Sequence, residues 1–222
     1  LILSTIGIKT DKFNSFILKK ANNNYKDMSF KLEKIKFKFD IKNISLFIET
    51  KNPEINYQNI TIPIENIKVY LNFVSLLKSK IQVNKMNISS KEIDIEQLKD
   101  LMIKIKPSNV NTLIVNKVEK GILITNLDLY FDDELKIKNY IARGNVKEMR
   151  ANLSKNLFFN DTSFDFFFDT SDLIIKNTKT KIDGVLLKDG NLYITRNNDI
   201  ILKSEFSTGI KLSQENLKKY MS

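Results

Sequence analysis

Apolar and polar residues alternate along most of the chain with a period of two, which is the spacing of a half-buried β-strand. The clearest early run is Ile35-Lys36-Phe37-Lys38-Phe39-Asp40-Ile41. Together with Phe30-Lys31-Leu32, and interrupted only at Glu33-Lys34, it predicts one long strand with a bulge. Such a strand would run for roughly 40 Å and have one apolar face and one basic face.

The same alternation predicts strands through the rest of the chain. They cover residues 44–48, 60–62, 67–73, 81–83, 86–88, 93–95, 121–131, 135–142, 145–153, 164–168, 173–175, 185–187, 192–195 and 200–203. Turns are predicted at Asp132-Asp133, at Asn197-Asn198 and at Lys188-Asp189-Gly190-Asn191, the last as a hairpin turn. Because most successive strands are not separated by helices, the sheet is expected to be antiparallel, and a parallel dinucleotide-binding fold is excluded.

Helical spacing occurs in three places. Apolar residues after Thr10-Asp11 predict a helix over residues 11–21, a second helix covers 96–106 and ends before Pro107, and a third begins within 212–220. The predicted class is therefore mainly β, of the α+β type, with an N-terminal helix and one or two short helices. Residues 1–106 and 107–222 are the two predicted regions, and the second continues the sheet of the first within one domain.

The composition excludes several kinds of chemistry. The 222 residues contain no Cys, His or Trp, which excludes disulfides, thiolate nucleophiles and zinc ribbons, and removes the commonest general base and metal ligand. The six Gly residues are scattered and form no phosphate-binding loop. Asp132-Asp133-Glu134 lacks the spacing of a calcium loop and is expected to be a solvated turn. No catalytic, cofactor or metal site is predicted.

The net charge of +10 is concentrated in the first half of the chain, where residues 1–110 carry 19 basic and 11 acidic side chains. A solvated lysine-rich face and an anionic membrane surface are both open as interpretations. Nucleic acid is not expected as a partner, because alternation places Phe37 and Phe39 on the opposite face from the lysines, where they cannot stack beside phosphate contacts.

The apolar face of the predicted strands needs a cover. In an ordinary sandwich a second sheet covers it, whereas an open, strongly curved sheet would leave a groove wide enough for acyl chains. The alternation alone leaves both arrangements open.

No apolar stretch approaches the roughly 20 residues that a membrane helix needs. The initial run, residues 1–8, is too short and lacks both an initiator Met and a basic segment before it. It has two interpretations, the end of an upstream membrane helix or signal sequence, or an ordinary first element.

The order of these elements resembles the N-terminal part of AsmA-like proteins. The resemblance rests on the apolar lead, the helix around Phe13-Asn14-Ser15-Phe16-Ile17, the long alternating strand, and the segment from Ile67 to Ile95. In that segment a strand leads through Ser75-Leu76-Leu77 and a charged step into a strand pair that ends at Ile93-Asp94-Ile95, before a helix. The resemblance covers residues 1–106 and is only generic, β-rich, beyond them.

The resemblance implies a long curved antiparallel sheet that forms an open groove or taco-like half-barrel. It implies a bacterial envelope protein that faces the periplasm and is anchored in the inner membrane by a segment upstream of Leu1. Such a protein would bind or conduct phospholipid between inner and outer membrane and contribute to outer-membrane biogenesis, with no enzymatic activity and no cofactor. Family members are usually much longer, so the chain would be a fragment or a short member.

On this hypothesis the acyl chains contact a set of apolar side chains on the first strands. The predicted groove lining is Phe30, Leu32, Ile35, Phe37, Phe39, Leu46, Ile48, Val69, Leu71 and Phe73. The lysines predicted to contact headgroups or an anionic membrane surface are Lys31, Lys34, Lys36 and Lys38. Other envelope proteins are further candidate partners. The alternative function is a closed β-sandwich that binds another envelope protein, and a basic nucleic-acid-binding sheet is the third hypothesis.

Overall fold

The computed structural model describes residues 7–10, 28–32, 35–41, 45–72, 75, 82–104, 108–154, 157–182, 185–196 and 200–208. Two helices lie in this part of the chain, α1 (Ile95–Lys104) and α2 (Asn109–Lys117). The strands in chain order are β1 (Ile8–Thr10), β2 (Met28–Lys31), β3 (Ile35–Asp40), β4 (Ser45–Lys51), β5 (Glu54–Tyr57), β6 (Ile60–Ile62), β7 (Ile64–Leu71), β8 (Val83–Ser90), β9 (Ile93–Asp94), β10 (Val118–Phe131), β11 (Ile137–Ser154), β12 (Leu157–Asp169), β13 (Asp172–Ile182), β14 (Val185–Arg196) and β15 (Ile200–Thr208).

Twelve of these strands form one antiparallel main sheet. Its order is β1-β3-β4-β7-β8-β10-β11-β12-β13-β14-β15, and the two-residue β9 pairs with β10 beside the end of β8. The path runs from β1 at one edge to β15 at the other and does not close into a barrel. The predicted mainly β, open antiparallel fold is therefore confirmed, and β8 pairs with β10 across the boundary predicted at residues 106 and 107.

A second, three-stranded sheet lies outside the main sheet, in the order β2-β5-β6. β5 and β6 belong to the connection between β4 and β7, while β9, α1 and α2 belong to the connection between β8 and β10. Both connections leave the main sheet at the same end of its strands, because β4 and β7 pair antiparallel, as do β7 and β8. We call this the capped end of the main sheet.

At the capped end, the helices pack against the parts of β10, β11 and β12 that extend beyond β8. Ile95 of α1, Val118 of β10 and Ala151 of β11 form a buried apolar cluster, and Ile114 of α2 and Phe159 of β12 pack against it. Two hydrogen bonds tie the small sheet to α1, from Tyr57 Oη to the Lys104 carbonyl (3.4 Å) and from Gln97 Nε2 to the Thr61 carbonyl (3.3 Å). Helices and small sheet therefore form one cap.

The helix predicted over 96–106 is confirmed as α1, and Asp94 caps it by accepting a hydrogen bond from the Gln97 amide at 2.9 Å. α2 is an element that the sequence analysis missed. Its signal was Ser108, whose hydroxyl accepts a hydrogen bond from the Asn111 amide at 3.1 Å. The helix is rich in Asn, Thr and β-branched residues, which have weak helix propensity, and its apolar residues do not repeat cleanly at helical spacing.

The prediction of one continuous strand from Phe30 to Ile41 is wrong. Phe30 lies in β2 and pairs with Ile55 in the small sheet, whereas β3 begins at Ile35 and pairs with β1 and β4 in the main sheet. Alternation reports which side chains share a face and does not report which strand is the partner. The chain changes sheets between the end of β2 at Lys31 and the start of β3 at Ile35, where a bulge or register step within one strand was expected.

The predicted hairpin turn at residues 188–191 is also wrong, because β14 runs through it without a break. Asp189 has a left-handed backbone, with φ of 53°, and the pairing of β14 with β15 shifts register between Lys188 and Asn191. An Asp-Gly pair tolerates positive φ in a bulge as readily as in a turn. The strands predicted at 185–187 and 192–195 are therefore one bulged strand.

The remaining predictions concern two turns, two strands and two helices. The Asp132-Asp133 turn is confirmed between β10 and β11, where Asp132 Oδ1 accepts hydrogen bonds from the amides of Glu134 and Lys136, both at 2.9 Å. The strands predicted at 135–142 and 145–153 are one strand, β11. The predicted helices at 11–21 and 212–220 and the turn at 197–198 lie outside the described residues.

Gly144 in β11 lies where the backbones of β10 and β11 approach most closely. A Cβ at this position would overlap the carbonyl oxygen of Ile124 and lie 2.9 Å from the Cα of Thr125. We expect Gly144→Ala to lower the free energy of unfolding by about 3 kcal/mol, because main-chain atoms cannot give way as side chains do. Urea unfolding of the purified chain measures this loss.

Gly190→Ala is the matched control for this change. A Cβ at Gly190 would meet the ring of Phe206, with Cδ1 at 2.5 Å, and this ring is an exposed side chain that can move. We expect Gly190→Ala to lower the free energy of unfolding by about 1 kcal/mol. Equal losses for the two variants would contradict the account given for Gly144.

Candidate functional site

One line of directly paired residues crosses ten strands of the main sheet on a single face. Paired residues in an antiparallel sheet point to the same side, so the register of each strand pair defines the face. From β3 to β15 the line is Ile35, Thr50, Ile67, Ile88, Leu127, Ala142, Phe168, Leu173, Ile194 and Leu202. At about 4.8 Å between strands, it extends for roughly 43 Å across the sheet.

A second line on the same face lies two residues along each strand. It crosses six strands through Phe37, Ile48, Val69, Met86, Leu129 and Tyr140. The alternation adds Phe39, Leu46, Leu71, Phe166, Ile175 and Leu192 to this surface. We call the surface formed by these side chains and those of the first line the apolar face.

The apolar face is incompletely covered in the part of the chain that the structure describes. Every side chain from Ile67 to Ile194 in the first line, and all six in the second, is half-buried and none is fully buried. Ile35, Thr50 and Leu71, with 1%, 6% and 5% exposure, are buried exceptions elsewhere on the face. In a closed sandwich, side chains at the centre of an inner face pack against a second sheet. The described helices and small sheet instead pack at the capped end.

Most of the predicted groove-lining residues lie together on the apolar face. Ile35, Phe37, Phe39, Leu46, Ile48, Val69 and Leu71 all do so. Phe30 and Leu32 do not, since the first is in the small sheet and the second follows it, and Phe73 lies outside the described residues.

The sequence analysis missed the second half of the face. Residues from β8 to β14 continue the first line, including Ile88, Leu127 and Phe168, and residues of β8, β10 and β11 continue the second. Their signal was the same alternation, as in Phe164-Asp165-Phe166, which was assigned to strands but not extended into a common surface. The continuity depends on register between strands, which alternation within one strand does not contain.

The opposite face of the main sheet, which we call the polar face, also carries apolar side chains such as Phe47, Phe167 and Ile174, but it is organised around two buried carboxylates. Glu49, 5% exposed, receives Lys38 Nζ at 2.6 Å on Oε2, with Asn66 Nδ2 at 3.2 Å and Lys68 Nζ at 4.0 Å on Oε1. Asp128, 4% exposed, is bound by Arg143 Nη2 at 2.7 Å, Asn87 Nδ2 at 2.7 Å and Lys85 Nζ at 3.1 Å. The long cationic side chains lie over the short acidic ones.

Opposing effects act on the pKa of the Glu49 carboxyl group. Burial acts to raise the pKa, but hydrogen bonds from Lys38 and Asn66 and the charges of Lys38 and Lys68 outweigh it, so the pKa of Glu49 lies below its ordinary value.

In the Asp128 cluster, the Lys85 ammonium group also lies over two aromatic rings, 5.6 Å from the centre of Tyr70 and 5.3 Å from that of Tyr130. Burial raises the pKa of the Tyr70 hydroxyl.

Two of the predicted headgroup lysines, Lys36 and Lys38, lie on this polar face, and Lys38 is bound to Glu49. Lys31 is in the small sheet, where its exposed ammonium group contacts Glu54 at 3.1 Å. Lys34 lies outside the described residues. The structure therefore brings Lys36 and Lys38 together, separates them from Lys31, and directs both away from the apolar face.

A line of bulges crosses the long strands between the apolar face and the capped end. Glu148, Asp161, Asn177 and Asp189, one in each strand from β11 to β14, all have left-handed backbones with φ of 51°, 49°, 54° and 53°. The register shifts beside each of them. Aligned bulges bend neighbouring strands at one level, so the sheet is bent along this line.

Exposed ion pairs accompany the bulge line. Lys120 contacts Glu148 and Lys181 contacts Asp161, both at 2.8 Å. These hydrogen bonds lower the pKa of the Glu148 and Asp161 carboxyl groups and raise that of the Lys120 ammonium group. Glu148 and Asp161 therefore each have a basic partner and do not form an unpaired carboxylate pair for acid–base chemistry.

Within the described residues, no group of three or more acidic side chains is placed to hold a metal ion. Neither of the described helices is long and apolar enough to cross a membrane. Comparison with protein-family models, curated proteins and solved structures gave no match to this chain. Function is therefore inferred from the two faces of the main sheet.

The Glu49 cluster gives a pH-dependent prediction for stability. Because the pKa of folded Glu49 lies below the unfolded value of about 4.3, its stabilising contribution is complete above that value and is lost as the pH falls through the folded pKa. We expect Glu49→Gln to cost about 1–3 kcal/mol at pH 7 and progressively less below pH 4. Urea unfolding of the original chain and of the variant, at pH 7 and at pH 3, measures the cost at each pH.

Glu54→Gln is the control, since Glu54 also contacts a lysine but its side chain is 58% exposed. It should change stability by less than about 0.5 kcal/mol at pH 7. A Glu49→Gln effect that is the same at pH 7 and pH 3 would refute the role assigned to the Glu49 charge.

Proposed function

We propose that the apolar face binds the acyl chains of phospholipids, and that the chain is an AsmA-like lipid-binding protein of the bacterial envelope. The observation that carries this proposal is the line of directly paired residues that crosses ten strands in register, is apolar apart from Thr50, and is only half-buried from Ile67 to Ile194. Monomeric soluble proteins rarely expose apolar patches larger than a few hundred Å², and larger ones usually mark binding surfaces.

The size and shape of the apolar face suit a long, flexible apolar ligand. Each Å² of apolar surface removed from water contributes about 25 cal/mol, and the face offers aliphatic and aromatic side chains along two parallel lines. The first line is apolar from β3 to β14 except for Thr50, and the second line has no polar group until Tyr140. Such a surface favours binding along its length over recognition of one small molecule at one point.

A closed sandwich that binds another envelope protein is less well supported. That arrangement needs a protein layer over the apolar face, and among the described residues the non-sheet elements pack at the capped end. The cap leaves the apolar side chains of β3, β4, β7 and β8 half-buried, apart from Ile35, Ile64 and Leu71, which are buried. A lipid can bind to this surface without displacing any described element.

The remaining parts of the hypothesis concern charge and location. The lysines of the polar face, including Lys36, would contact an anionic membrane surface while the apolar face binds lipid. A location facing the periplasm, transfer of phospholipid between the two membranes and a role in outer-membrane biogenesis come from the AsmA-like resemblance. Lipid binding and transfer require no catalytic residue and no cofactor.

Two matched double variants test the proposal. Ile88→Gln/Leu129→Gln places amides on the apolar face, whereas Ile141→Gln/Ile174→Gln makes the same kind of change at half-buried positions on the opposite face. We expect the first to lower binding of a fluorescent phospholipid about tenfold, and the second to change it less than twofold. Circular dichroism establishes that both variants are folded.

Site-specific photocrosslinking gives a second, direct readout. A photoreactive residue at Val69, on the apolar face, should crosslink to lipid with an acyl-chain probe, whereas one at Lys68, its neighbour on the polar face, should not. Equal labelling at both positions, or no bound phospholipid by native mass spectrometry, would overturn the proposed function.

A further inference from the structure

β15 is an exposed edge of the main sheet. It pairs with β14, and each of its residues from Ile201 to Thr208 is exposed. The exposed residues include Ile201 at 51%, Leu202 at 61% and Phe206 at 51%. An edge strand presents a row of N–H and C=O groups that can pair with another strand, and natural edges are usually short or protected. β15 has nine residues and no proline.

The sequence of β15 is complementary to itself when two copies run antiparallel. Centred on Ser204, the alignment pairs Lys203 with Glu205 and Leu202 with Phe206, and each pair occurs twice by symmetry. The outer pairs are Ile201 with Ser207 and Ile200 with Thr208. Opposite charges and apolar residues directly across two strands both stabilise antiparallel pairing.

The same alignment continues both faces of the sheet. Leu202 pairs with Ile194 of β14, so Leu202, Ser204 and Phe206 share the apolar face, while Lys203 pairs with Tyr193 on the polar face. Leu202 of one copy therefore meets Phe206 of the other on the apolar side, and Lys203 meets Glu205 on the polar side. A register shifted by one residue would place apolar side chains on the polar face.

We propose that two copies of this chain associate through β15, pairing antiparallel about Ser204. The main sheets then join into one sheet, and the two apolar faces become one surface of twice the width. The arrangement is isologous, so it closes as a dimer. Pairing of β15 with β1 of another copy would instead be heterologous and form a ring or an open filament, and β1 offers only three residues for it.

Charge reversal within β15 tests the dimer and its register together. Lys203→Glu and Glu205→Lys each turn two attractive cross-strand pairs into repulsive ones, and each should raise the dimer dissociation constant about tenfold or more. The double variant Lys203→Glu/Glu205→Lys restores opposite charges and should recover the original dissociation constant to within about threefold. Sedimentation of the full 222-residue chain at several concentrations, without lipid, measures all three.

Lys91→Glu is the control for net charge, because Lys91 is an exposed residue between β8 and β9 and remote from β15 along the sheet. It should leave association unchanged. A chain that stays monomeric at every concentration would overturn the proposal. So would a dimer that resists both single reversals, or one that the double variant fails to restore, since either would use another surface or register.

Cysteine crosslinking fixes the register, and the chain has no native Cys to interfere. In the proposed dimer the two Ser204 residues are directly opposite, so Ser204→Cys should form a covalent dimer on oxidation or with a short bis-maleimide. The two Ser207 residues would be about 20 Å apart, so Ser207→Cys alone should not. A mixture of Ile201→Cys and Ser207→Cys chains should crosslink, and failure of that mixture and of Ser204→Cys would exclude this register.

Discussion

The constraint on which the structure depends is the pairing register that keeps alternating residues in phase from strand to strand. A slip of one residue between any two strands would move every later apolar side chain to the other side of the sheet. Across nine successive pairings from β3 to β15, the apolar line stays on one face, with Thr50 as its one polar member. The apolar face is therefore a property of the whole sheet and not of any single strand.

Bulges shift the pairing register between strands. Their alignment in neighbouring strands keeps the apolar side chains on one face. A left-handed residue in one strand alone would disturb the register against both of its neighbours. Here Glu148, Asp161, Asn177 and Asp189 occupy the same level in four adjacent strands, so each register shift is matched by one in the next strand. On the far side of this line from the cap the pairings of the first apolar line contain no register shift, and on the near side β10 to β12 pack against the helices.

The sequence was sufficient for the class of fold and for part of the site, for a physical reason. Period-two alternation reflects the geometry of a single strand, so Phe37, Ile48 and Val69 could each be placed on an apolar face. It does not specify partners, and this is why Phe30 was joined to β3 although it pairs with Ile55. The Asp189-Gly190 pair shows the same limit, because positive φ suits both a turn and a bulge, and only the pairing of β14 distinguishes them.

The polar face explains why the apolar side chains of this open sheet stay on one side of it. Glu49 and Asp128 are about as buried as core residues, yet each is surrounded by cationic or amide groups from adjacent strands. Turning the sheet over, or slipping its register, would leave these carboxylates opposite apolar side chains, which carries a large desolvation cost. Lys38, Lys68, Lys85 and Arg143 thus specify register from the side that binds no lipid in our proposal, and Lys38, one of the lysines predicted to contact headgroups, has a structural role. The sequence alone could assign the high positive charge of the first half to a binding partner. In the structure, part of this charge fixes the register between neighbouring strands.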